Sequence, residues 1–137
     1  MQVNPYLTFN GNCEAAFKYY AQSLGGKIDA MMPHAGTEAE QHVPAEWAKK
    51  IMHANMTLNG TVLMGSDAPP GHYKTPQGFS VSLQVKTAEE AERAFHALEK
   101  GGTVQMPIQQ TFFAVRFGML TDQFGIPWMI NCAPTMA

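Results

Sequence analysis

A histidine and an arginine set in otherwise apolar strands are the residues of this chain best suited to do chemistry. Along Met52-His53-Ala54-Asn55-Met56-Thr57-Leu58 polar and apolar residues alternate, so an extended segment shows His53, Asn55 and Thr57 on one face. An imidazole with an ordinary pKa near ~6.5 changes charge around neutral pH, which suits a polar contact or a general base. The plainer role is that of a hydrogen-bonded sheet histidine, and the sequence sets no acid behind it. Arg116 lies between Val115 and Phe117 in an aromatic-rich run. A buried guanidinium is expensive without a partner. Asp67 or Asp122 is the expected one, while a ligand carboxylate or phosphonate would also match its fork of donors.

Other reactive residues point to less. His34, His42, His72 and His96 show no metal-ligand spacing. Cys13 and Cys132 form no C-x-x-C pair and read as small buried hydrophobes. Ser66 and Asp67 beside a distant His53 do not make a triad without geometry. Glu89, Glu90 and Glu92 suit the solvated start of a helix. Trp128 and Phe112-Phe113 either stack on a ligand or, as aromatic strand residues commonly do, fill the core.

Composition narrows the classes further. The chain has 137 residues, 45% hydrophobic and 15% charged, with net charge −2. That is material for one packed domain with little tendency to disorder. No basic block could track phosphates, so nucleic acid is not an expected partner. No apolar run of ~18 residues could form a spanning helix, and no membrane partner is expected. Met1 to Phe9 lacks the pattern of a secretory signal, which makes the cytoplasm the expected compartment. Ten methionines serve equally as core filler or as the lining of an adaptable apolar pocket.

The elements that must position these residues come in two copies. Asn12 to Leu24 carries a helical apolar stripe at Cys13, Ala16, Phe17, Tyr20 and Leu24, ended by Gly25-Gly26. Ala88 to Lys100 repeats it with Ala91, Ala94, Phe95 and Leu98, ended by Gly101-Gly102. Thr87 and Glu90 have capping-box spacing at its start. The two Gly-Gly stops are 76 residues apart, and the same shift lays Leu7 and Phe9 on Leu83 and Val85, and Ile28 on Val104. A strand therefore precedes and follows each helix. Ile51 to Leu58 and Thr61 to Ser66 flank Asn59-Gly60, a two-residue hairpin signal. Ala114 to Thr121 and Ile126 to Asn131 flank the longer turn Asp122-Gln-Phe-Gly125. Gly60 and Gly125 are only 65 apart, which leaves 11 additional residues in the first half, within the connection Pro33 to Lys50. Connections of that length commonly act as lids or dimer contacts. The sequence thus predicts an α+β chain of two βαβββ modules, about 1–67 and 78–133, joined by a Pro/Gly linker over 68–77.

Duplicated βαβββ units of this size resemble the vicinal-oxygen-chelate superfamily of glyoxalases, bleomycin-resistance proteins and dioxygenases. Pro5-Tyr-Leu-Thr-Phe-Asn-Gly-Asn12, His53-Ala-Asn55, Phe112-Phe-Ala-Val-Arg-Phe-Gly118 and Asp122-Gln-Phe-Gly-Ile-Pro-Trp-Met-Ile-Asn131 are similar to its PhnB-like branch. The resemblance implies cupped mixed sheets, with metal ligands on the first and last strands of each half in metal-using members. Carried across by register, those positions fall on Pro5, Met64, Ser80 and Met129, none a usual hard-metal ligand. The expectation is no metal and no cofactor. A small organic molecule would then bind in the β-cup against His53, Met64, Ser80, Arg116, Trp128 and Met129. Two alternatives stand beside it: acid–base or atypical-metal enzymology through His53 or Arg116, and an interaction module using residues 33–50. Some relatives are described as ubiquinone-pathway methyltransferases, but no Gly-rich loop follows an early strand in a Rossmann-type pattern. A homodimer is expected because exposed sheet edges are commonly completed by a partner.

Overall fold

The computed structural model describes residues 1–134. The chain divides into two compact units, Met1–Lys74 and the stretch from Thr75 onward. The first contains β1 (Tyr6–Phe9), α1 (Cys13–Leu24), β2 (Lys27–Pro33), β3 (Ile51–Leu58) and β4 (Thr61–Asp67). The second contains β5 (Val81–Val85), α2 (Ala88–Glu99), β6 (Thr103–Gln109), β7 (Arg116–Thr121) and β8 (Pro127–Cys132). The expected α+β class and the two βαβββ modules are what the chain forms.

Each unit is one four-stranded mixed sheet with its helix on one face. The orders are β1-β4-β3-β2 and β5-β8-β7-β6. β1 runs parallel to β4 and β5 parallel to β8, and the other pairs are antiparallel. The helix packs on β2, β3 and β4 in the first unit and on all four strands in the second. The helix-facing side of the first sheet carries Leu7, Phe9, Ala54, Met56 and Leu63, buried with Phe17 and Tyr20 of α1. Its counterpart in the second carries Leu120, Trp128, Ile130 and Cys132, buried with Phe95 and Leu98 of α2. Alternation then fixes the opposite, open faces.

The helices begin differently. The Thr87 hydroxyl accepts from the backbone N–H of Glu90 at 3.1 Å, a local cap for α2. Asn12 makes no side-chain cap for α1. There the Asp67 carboxylate, from the end of β4, accepts from the N–H groups of Gly11 and Cys13, each at 2.9 Å, and of Ile51 at 2.9 Å. One buried side chain thus ties together the helix start, β4 and β3.

Residues 33–50 hold two short 3₁₀ turns, Glu38–His42 and Ala45–Trp47. The stem of this insertion is zipped by Ala35 N–H to Ala48 O at 2.7 Å and His34 N–H to Lys50 O at 3.0 Å. His34, buried, also sets its Nδ1 at 2.9 Å from the same Lys50 carbonyl. Since a carbonyl only accepts, Nδ1 carries the proton.

Candidate functional site

The open face of the first sheet is assembled from alternate residues of four strands. Tyr6 pairs with Met64 and Thr8 with Ser66, so these four share one face. Asn55 pairs with both Met64 and Ala30, and His53 with Met32. Tyr6 is 46% exposed and Met32 42%, although both are large and apolar. His53 is half-buried between them. Its ring centroid lies 6.0 Å from that of Tyr6, the planes tilted by 34°. The Asn55 side-chain amide stands 3.5 Å from His53 Nε2. The result is a shelf of two rings, two thioethers and neutral hydrogen-bonding groups. Among the described residues of its strands, charge enters at the hairpin end, where Lys27 pairs with Thr57, whose hydroxyl donates to Asp29 at 2.6 Å.

The expected site residues divide between the faces and the units. His53 and Met64 come together on this open face. Met129 lies on the open face of the second sheet, paired with Ser82 and Met119. Ser80 is half-buried in the second unit, immediately before β5. Arg116 and Trp128 take the other face of the second sheet. Arg116 pairs with Cys132 and Trp128 with Val81 and Leu120, all on the helix-covered side. Trp128 is 1% exposed, and its indole N–H donates to Asp122 Oδ2 at 2.8 Å. Arg116 Nε donates to Glu92 of α2 at 3.1 Å and Nη1 to the Val115 carbonyl at 2.8 Å. Its expected partners, Asp67 and Asp122, are occupied elsewhere. Asp122 Oδ1 accepts from Phe124 and Ile126 N–H at 2.8 and 3.0 Å, closing the β7–β8 turn.

Sequence reasoning passed over Tyr6 as a site member. The signal was there: in Tyr6-Leu-Thr-Phe the apolar pair Leu7 and Phe9 takes the helix side, which turns Tyr6 and Thr8 outward. A separate cavity of about 280 Å³ lies on the helix side, between Glu14 of α1, Met31 and Pro33 of β2, and Lys49 of the insertion. None of the expected site residues lines it.

Cysteine chemistry is disfavoured at Cys13. Burial first, then the negative charges of Asp67 and Glu14, push its thiol well above the usual range, so the nucleophilic thiolate is not formed at neutral pH. A hard-metal site does not fit either. Met64 and Met129 present thioethers, which are soft ligands, and Pro5 presents no side-chain donor. Among the described residues, no three His, Cys, Asp or Glu side chains gather to hold a metal ion. A Rossmann-type cofactor grip fits no better: the N–H groups at the start of α1 already serve the Asp67 carboxylate, and both sheets are mixed.

Comparison with known proteins agrees with this architecture. A family model described as 3-demethylubiquinone-9 3-methyltransferase matches residues 1–131. Protein YjdN of Escherichia coli is 37% identical over 139 residues, covering 96% of this chain and 95% of its own. The crystal structure of PA1353 from Pseudomonas aeruginosa is 48% identical with TM-score 0.89, covering 97% of this chain and 98% of that one. The PhnB protein of Bacillus cereus is 24% identical with TM-score 0.81, over 97% and 100% of the two chains. For the fold alone, a glyoxalase/bleomycin resistance/dioxygenase domain from Frankia sp. aligns with TM-score 0.69 at 13% identity, over 98% of each chain.

Proposed function

Because this chain belongs to the PhnB-like family described as 3-demethylubiquinone-9 3-methyltransferase, on the glyoxalase/bleomycin resistance/dioxygenase fold, we propose that it binds a small organic molecule on the open face of its first sheet, without a glyoxalase-type metal. One observation carries this reading: His53, Tyr6, Asn55 and Met64 share a partly exposed sheet face that combines aromatic area with neutral hydrogen-bonding groups. Exposed apolar side chains beside convergent polar ones are the ordinary makings of a ligand surface.

Methyl transfer as such draws no support from the residues, since neither helix start offers a nucleotide-type grip. Acid–base catalysis would rest on His53, whose partners among the described residues are Asn55 and Tyr6 and include no carboxylate. Arg116 is engaged with Glu92 on the other side of its sheet. Binding is therefore the reading we adopt, with homodimerisation through the unpaired sheet edges as its companion. Native mass spectrometry of the purified protein tests both. The expected spectrum shows a dimer carrying an organic adduct that His53→Phe abolishes. A monomer contradicts the dimer, an adduct kept in His53→Phe contradicts the site, and stoichiometric nickel, zinc, iron or manganese contradicts the metal-free reading.

A further inference from the structure

The hydrogen-bond polarity at His53 narrows the ligand. An amide nitrogen only donates, so the approach of Asn55 Nδ2 at 3.5 Å makes His53 Nε2 the acceptor. The neutral imidazole then carries its proton on Nδ1. Among the described residues no group accepts that proton. The face around it offers the Tyr6 ring and the Met32 and Met64 thioethers, which favour a flat conjugated body. Among the described residues of the first unit the strands bring no cation to the middle of this face: Lys27 stands at the hairpin end. An unpaired carboxylate or phosphonate here would lose its hydration with nothing in return.

Resting on the binding reading above, we propose that the ligand is an uncharged, conjugated carbonyl compound. Its oxygen accepts from His53 Nδ1–H, its ring lies against Tyr6, and Asn55 is the positioning residue that fixes the tautomer. A carboxylate-bearing ligand is disfavoured by the same geometry.

Four probes of similar shape test this by NMR: acetophenone, ethylbenzene, benzoate and benzylamine, each titrated into the full chain with the histidine ring nitrogens observed. Acetophenone is expected to move the His53 nitrogens and the amides of Asn55 and Met64, binding about fivefold more tightly than ethylbenzene, the value of one net hydrogen bond. Free protein is expected to show the Nδ1–H tautomer at His53, turning to a mixture in Asn55→Leu with weaker acetophenone binding. Benzoate or benzylamine binding as tightly as acetophenone, ethylbenzene equalling it, or an Nε2–H tautomer in the free protein overturns the carbonyl assignment and leaves the open face a binding surface. Silence of that face toward all four probes overturns the binding reading as well.

Discussion

The two sheets share a register and differ in what their open faces offer. Aligned through the hairpin pairings, Asn55 opposite Met64 corresponds to Met119 opposite Met129, and His53 therefore to Phe117. On the parallel pair, Tyr6 and Thr8 correspond to Ser82 and Gln84. On the second face the side chains bond along a row: Gln84 donates to Ser82 and Asn131 donates to Gln84, each at 2.7 Å, while Asn131 Oδ1 is buried with no donor among the described residues. Beside them Phe117 continues a ladder of edge-on rings through Phe113 to Phe112, with centroids 5.1 Å apart at each step. The first face leaves a donor open, the His53 Nδ1–H, which has no acceptor among the described residues. The two copies thus share a scaffold and differ in their faces: a hydrogen-bonding shelf on the first, and a ladder of rings beside a paired polar row on the second.

Behind the faces, the same divergence governs how each helix is fastened. Each unit has one buried aspartate holding backbone N–H groups, but Asp67 joins three segments distant in sequence, whereas Asp122 closes its own turn. Asp67→Ala is therefore expected to have the largest effect. It strands three N–H groups, two of them at the helix start, and should cost about 3 kcal/mol or more. Urea denaturation should show this, with early loss of amide protection at Cys13 and Ile51. A loss no greater than that of a surface substitution would remove the claimed fastening.

Next in size is the glycine on which each helix rests its aromatic ring. A Cβ on Gly118 would come within 2.6 Å of the Phe95 ring, and one on Gly65 within 2.9 Å of Phe17 and 2.8 Å of the Leu7 carbonyl. Both Gly→Ala changes should destabilise by about 1–3 kcal/mol through overpacking. Gly65→Ala should be the worse of the two, because a backbone carbonyl yields less than a ring. Thermal melts of the two variants, side by side, check that order.

Smaller still is the ion pair that Arg116, a residue expected to contact a ligand, makes with Glu92. Arg116 and Glu92 are each about one-third exposed, so Arg116→Met should change stability by less than about 1 kcal/mol. It should leave acetophenone binding unchanged, and a clear loss of binding by titration would return Arg116 to the site. Smallest is His96, whose ring bridges Glu99 and Glu92 at 2.7 and 3.1 Å. The hydrogen bond that His96 donates to Glu99 raises its pKa most; burial lowers it, and the bond to Glu92 with the negative charges of both glutamates adds to the rise, so the net shift is upward. A folded pKa above the unfolded one means that the stabilisation is complete below the unfolded value and fades as pH rises through the folded one. His96→Gln should therefore lose a few tenths of a kcal/mol in mildly acidic solution and nothing in alkaline solution. The sign is read from paired denaturation curves.

Much of the scaffold was legible in the sequence because it is written in local patterns. The Gly-Gly stops, the Asn59-Gly60 turn and the alternation in His53-Ala-Asn55 each act over a few residues, and helices and hairpins appear where they were expected. What escaped was decided by long-range packing. Nothing near Arg116 in sequence signals Glu92 on the preceding helix, and a carboxylate at the end of β4 gives no local sign that it caps α1. Facing at the second hairpin was the other loss. Alternation in Arg116-Phe-Gly-Met-Leu is blurred by apolar residues on both faces, so only the paired register shows Arg116 and Trp128 turned toward α2.

The contrast between the two faces is tested most directly by mapping one probe onto both. Acetophenone titrated into isotope-labelled wild-type protein and into His53→Phe, which gives the first face the ring of the second, should distinguish them. The expected shifts gather on Tyr6, His53, Asn55 and Met64 in the wild type, leave Met119 and Met129 unmoved, and vanish in the variant. Shifts centred on Phe113 to Met119, or shifts unchanged by His53→Phe, would contradict the assignment of binding to the first sheet.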